Sequence, residues 1–64
     1  MKIVKLGEIK KLNEMYFRFP GQKIVWLINH YDRSSQKYSL SPTEDMNREI
    51  FRDANKLVEI GFDY

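Results

Sequence analysis

No cysteine occurs in the 64 residues, so disulfide staples, thiolate metal sites and thiol nucleophiles are all excluded. His30 is the only histidine, which rules out a two-histidine metal site or a histidine dyad within one copy. Asp and Glu stand at no recognisable ligand spacing. Glycine is scarce: Gly7, Gly21 and Gly61 lie far apart, and none builds the glycine-rich loop that cradles a nucleotide phosphate. We therefore expect no cofactor and no enzymatic activity. Long apolar runs are missing as well. Nothing approaches the roughly 18–20 residues of a membrane span, and Met1-Lys2-Ile3-Val4-Lys5 is not followed by a signal-peptide core. A cytoplasmic protein that does not engage a membrane is the expectation.

What is present is rings and charge. A chain this short forms one domain and buries only about 60% of the surface its unfolded form exposes. Four Phe, four Tyr and one Trp supply much buried area from few residues. The net charge is +2, but it is unevenly spread. Residues 1–40 carry Lys2, Lys5, Lys10, Lys11, Arg18, Lys23, Arg33 and Lys37 against Glu8, Glu14 and Asp32; residues 41–64 carry Arg48, Arg52 and Lys56 against Glu44, Asp45, Glu49, Asp53, Glu59 and Asp63. Such asymmetry either makes a basic face for an acidic partner or disappears when the two ends fold together.

Lys23 to Leu40 reads as a β-hairpin. Ile24 to Ile28 is an unbroken apolar run rich in β-branched and aromatic residues, bounded upstream by Pro20-Gly21, as in a strand covered on both faces. Arg33-Ser34-Ser35-Gln36 is the natural turn. With that loop, Asp32 faces Lys37, Tyr31 faces Tyr38 and Asn29 faces Leu40. One face then holds Val25, Leu27, Tyr31, Tyr38 and Leu40, and the other holds Ile24, Trp26, Ile28 and His30.

The flanks are less uniform. Residues 2–6 fit a short edge strand broken by Gly7. Glu8 to Phe19 has both helical and strand spacings, and its rings favour a strand at 14–19 that ends at Pro20-Gly21, with a turn near Asn13. Ser41-Pro42-Thr43-Glu44 is a strong helix start. Met46, Ile50, Ala54, Leu57 and Val58 could carry that helix to Gly61, whereas Val58, Ile60, Phe62 and Tyr64 alternate as in a strand.

Lys5-Leu6-Gly7-Glu8-Ile9-Lys10, Met15-Tyr16-Phe17, Tyr31 to Tyr38, Asp45 to Phe51 and the closing Phe62-Asp63-Tyr64 together resemble small uncharacterised proteins encoded by bacterial phages and mobile elements. Those relatives tend to have glycine where this chain has Asn13 and another near Ala54. The resemblance implies a compact, mostly β domain with no assigned activity. It also implies a helical turn at 42–47, a short strand around 49–51, a turn at 53–56 and a last strand at 57–64. The fold expected is thus mainly β: a small, strongly bent antiparallel sheet of about five strands closing into a Src-homology-3-like barrel. The alternative is an α+β sheet packed by one helix at 42–59.

Two kinds of site suggest themselves. His30, Asp32, Arg33, Lys37 and Tyr38 form an inventory that a phosphodiester-cleaving site uses, but they equally make an ordinary charged turn, and catalysis needs a shaped pocket as well. Rings interleaved with cations, as in Tyr16-Phe17-Arg18-Phe19 and around Trp26 and Tyr38, suit base stacking with phosphate contacts, or simply the core. The binding residues expected are Arg18, Trp26, His30, Arg33, Lys37 and Tyr38. They belong to a non-enzymatic module whose partner is a nucleic acid met by a basic hairpin face. The alternative is another protein, including self-association of a monomer into a weak homodimer through the Trp26 face or an open strand edge.

Overall fold

The computed structural model describes residues 2–62. It is mainly β. Six strands run β1 (Lys2–Lys5), β2 (Tyr16–Phe17), β3 (Trp26–Asp32), β4 (Lys37–Pro42), β5 (Ile50–Arg52) and β6 (Leu57–Ile60), with one 3-10 turn at Leu6–Glu8. They form two antiparallel sheets, β1-β6 and β2-β3-β4-β5. A bridge between Arg18 and Glu59 joins the two. Residues 63 and 64 of the expected last strand lie outside the described residues.

The hairpin is present with its Arg33–Gln36 loop, and Asp32 faces Lys37 and Tyr31 faces Tyr38 as expected. The expected pairing of Asn29 with Leu40 does not form, because a bulge at Asn29 shifts the register: His30 faces Ser39 and Ile28 faces Leu40. This one extra residue also changes part of the expected division of faces: Tyr31, Tyr38 and Leu40 stay together, but Leu27 leaves that face. Directly opposed residues share a face, so Trp26 and Ile28 join Leu40 and Tyr38 on the inner side. The physical reason is plain. Unbroken alternation from Trp26 and Ile28 would carry His30 inward, whereas the bulge turns His30 out and brings Tyr31 onto the inner side. The displaced Asn29 amide donates to Ser39 Oγ at 3.2 Å and Ser41 Oγ at 2.7 Å on the other side, and Ser39 Oγ donates to Glu49.

The expected helical turn at 42–47 is absent, and so is the long helix at 42–59. Ser41 and Pro42 are instead the last residues of β4, opposite Leu27 and Trp26. The Ser41 hydroxyl accepts from Asn29 instead of capping a helix. Thr43 prolongs the ladder by donating its N–H to the Val25 carbonyl at 2.9 Å. Because bonded and non-bonded positions alternate, Pro42 falls where no N–H is required of it. Two successive turns follow, with Asp45 N–H bonded to Pro42 O and Arg48 N–H to Asp45 O. The turn at 53–56 is as expected, and a strand follows it, but that strand ends at Ile60 rather than running on, since Gly61 bends at φ 77°.

Val4, Leu6, Ile9, Phe17, Phe19, Trp26, Leu40, Val58 and Ile60 form the buried core. Burying a large apolar side chain of this kind contributes about 1.5–3 kcal/mol. Phe19, Pro20, Gly21 and Gln22 make a tight turn closed by Gln22 N–H to Phe19 O at 3.0 Å. Proline second and glycine third, with Gly21 at φ 78°, is the type II arrangement. The turn near Asn13 is also found, and Asn13 itself adopts φ 62°.

Gly7 is required by a close approach rather than by its φ. Its N–H donates to Ala54 O at 3.0 Å, and a Cβ added there would lie 2.9 Å from the Ala54 Cβ. Gly7→Ala is therefore expected to cost about 1–3 kcal/mol by overpacking, and Ala54→Gly in the same chain to recover part of it. Chemical denaturation of the single and double variants measures both; equal stability of Gly7→Ala and the parent would contradict the close approach.

A candidate anion-binding groove

Strand β5 alternates Ile50 and Arg52 toward the inner side, opposite Leu40 and Tyr38, and sends Phe51 the other way, opposite Ser39. Between β5 and the start of β6 the inner side opens into a groove of about 520 Å³. It is lined by Phe19, Pro20, Gln22, Trp26, Arg48, Ile50, Arg52, Lys56 and Leu57. Three cations and no carboxylate line it.

Each cation rests on a fixed piece of backbone. Arg48 follows the turn that its own N–H closes onto Asp45 O; Lys56 follows the turn closed onto Asp53 O, and its carbonyl accepts the Leu6 N–H at 2.8 Å. Arg52 is held by the ladder to Tyr38, and its guanidinium donates to the Phe51 carbonyl at 2.7 Å. Two of the side chains lie against rings. Arg48 Cζ sits 5.4 Å from the centroid of Trp26, and Lys56 Nζ 5.5 Å from that of Phe19, within the range of a cation–π attraction. Phe19 and Trp26 meet edge to face at 5.4 Å. Among the described residues none of the three cations forms an ion pair. The indole Nε1–H of Trp26, whose ring lines the groove, is buried and donates to no protein group.

The acids near these cations in sequence are engaged elsewhere. Asp45 and Asp53 accept the backbone N–H groups of Asn47 and Asn55. Glu49 accepts from Ser39, and Glu59 accepts the Gly21 N–H. Segment 41–64 is acidic by count, yet its three cations gather in one place. Sequence reasoning missed them because it summed charge by segment. No local signal was available, since an interval of four aligns Arg48, Arg52 and Lys56 only on a helix, and here they lie on a strand and at the ends of two turns.

The six residues singled out from sequence fall in three places. Trp26 floors the groove and is 3% exposed, so it is a core residue rather than an exposed interaction face. Arg18 sits at the joint of the sheets, with Nη2 3.8 Å from Glu59 Oε2 and its guanidinium 4.2 Å over the Phe62 ring. It borders a second, smaller groove with Lys23, Thr43 and Glu44. His30, Arg33, Lys37 and Tyr38 lie at the hairpin end, where Tyr31 and Tyr38 meet edge to face at 4.9 Å. Tyr38 opposes Arg52 and so links that end to the groove.

The hairpin turn has its own electrostatics. Asp32 Oδ1 accepts from Ser34 N–H at 3.2 Å and Ser34 Oγ at 2.8 Å, and Oδ2 accepts from Ser35 Oγ at 2.9 Å. Bonds to the ionised form favour it, and those from Ser34 and then Ser35 hold the Asp32 carboxyl below its ordinary value. The carboxylate thus serves the turn itself.

The chain matches no family model, and no curated protein or solved structure matches it significantly.

Because the folded pKa of Asp32 is depressed, its support of the turn is present above the unfolded value and is lost as pH falls through the folded one. A carboxyl-detected NMR titration should place Asp32 below its ordinary value of 3.8. Ser34→Ala should raise it more than Ser35→Ala. An Asp32 that titrates at its ordinary value in the parent would contradict the assigned bonds.

Proposed function

We propose that this chain is a non-enzymatic module that binds single-stranded nucleic acid through the Arg48–Arg52–Lys56 groove. The observation that carries the reading is the gathering of three cations without ion-pair partners around one groove. Like charges held together repel, and a polyanion that settles among them replaces that repulsion by attraction while releasing its own counterions. The exposed Tyr31 and its partner Tyr38, continuous with the groove through Arg52, offer a ring surface for an unpaired base, which is how single strands are held without sequence preference. Arg33 and Lys37 at the hairpin tip then act as outlying phosphate contacts. The resemblance to phage and mobile-element proteins suits an accessory role in the cytoplasm, the chain acting as a monomer.

Trp26 is the only tryptophan and reports directly on the groove. Its fluorescence should change as a short oligonucleotide is added, with an affinity that falls as salt rises. Arg48→Gln, Arg52→Gln and Lys56→Gln keep part of each stem, and each should reduce the logarithmic salt slope by about 0.7. Arg33→Gln with Lys37→Gln should weaken binding less than any two of the groove changes. If the triple groove variant folds and still binds as the parent does, the site is misplaced. If size grows with concentration and no strand binds, an interface between copies is the better reading.

A further inference from the structure

We infer that the groove seats the phosphorylated end of a strand rather than its internal phosphodiesters. This rests on the nucleic-acid reading and adds to it which part of the strand is held. Cations that follow a strand are spread along a track, one for each singly charged phosphate. Here they are concentrated. Arg48, Arg52 and Lys56 line one groove of about 520 Å³, a volume in the ordinary range for a small-molecule site of roughly 300–1,000 Å³. A groove beside Arg18 and Lys23 also contains Glu44, and one beside Lys10 also contains Glu14, so neither extends the positive field. A terminal phosphomonoester carries about −1.5 to −2 at neutral pH, against −1 for a diester, and has three free oxygens to share among three cations.

A second observation points the same way. The Trp26 indole N–H is buried with no protein acceptor, and a buried donor left unmade is costly. Arg48 covers the ring from 5.4 Å. The ring lines the groove, and a terminal oxygen that reaches the edge of the indole accepts its hydrogen. Groove and indole together then act as a reader of strand ends.

The test uses the intact chain and one labelled eight-nucleotide strand in four forms: a 5′-phosphate, a 3′-phosphate, hydroxyls at both ends, and the preferred terminal phosphate capped as its methyl ester. One phosphorylated form should bind about tenfold or more tightly than the hydroxyl form, the effect of one added charge-assisted hydrogen bond. The methyl cap, which keeps the phosphate but removes one charge, should abolish most of that advantage. The ¹⁵N-detected indole resonance of Trp26 should move downfield with the phosphorylated form and stay in place with the hydroxyl form. Equal, salt-sensitive binding of all four forms would overturn the end-specific inference while leaving the nucleic-acid reading intact. No binding of any form would overturn both. Displacement of the phosphorylated strand by an equal concentration of the matching free nucleoside monophosphate would identify the ligand as a small phosphomonoester and overturn the assignment to a strand.

Discussion

Among the described residues one backbone bridge, Arg18 to Glu59, joins the two sheets, and the groove depends on how that pair is held. Arg18 and Glu59 exchange backbone bonds in both directions, at 3.0 and 2.7 Å, so the short strand β2 is tied to β6 as well as to β3. The side chains reinforce the tie. Glu59 accepts the Gly21 N–H at 3.0 Å and stands 3.8 Å from the Arg18 guanidinium. Glu59 is 8% exposed, and a carboxylate so placed is tolerated because its oxygens are engaged. Phe19 follows Arg18 and Leu57 lies two residues before Glu59, so both walls of the groove take their positions from this joint. The Pro20-Gly21 turn is fixed to it by the same carboxylate.

Charge in this chain is sorted by what each acid bonds to. Asp32, Asp45 and Asp53 accept hydrogen bonds within their own turns, and Glu8 accepts the Lys5 N–H at the 3-10 turn. These acids keep their charge, but they point into their own turns, form no ion pair with the groove cations and do not line the groove. That is why a segment acidic by count presents a positive groove. A related arrangement protects the edge of β5. Phe51 opposes Ser39 at a non-bonded position, so its carbonyl faces outward, and the Arg52 guanidinium occupies it. A charged group on an open edge discourages pairing with another chain.

Much of the fold was legible in the residues. The hairpin loop and the Tyr31–Tyr38 pair follow from local pattern, and so do the turns at Asn13, at Pro20-Gly21 and at 53–56, because turn chemistry and short-range alternation decide them. Two features were not legible. The bulge at Asn29 has no local signature, since it answers a tertiary demand to bury Trp26 and Ile28 while leaving His30 outside. The helix start at Ser41-Pro42 is a genuine local preference that lost to the ladder, where Ser41 bonds Asn29 and Thr43 bonds Val25. The site was less legible than the fold. Trp26 was singled out for its ring and does floor the groove, but Arg48, Arg52 and Lys56 converge only once β5 and β6 are placed beside Phe19.

A two-dimensional amide spectrum with assigned backbone shifts, recorded as a single-stranded oligonucleotide is added at low and moderate salt, maps where a polyanion settles on this surface. The structure predicts salt-sensitive movement centred on Arg48, Arg52, Lys56 and the Trp26 indole, with smaller changes at Tyr31 and Tyr38. Movement confined to Arg33 and Lys37 at the hairpin tip, with the groove resonances unchanged, would contradict it.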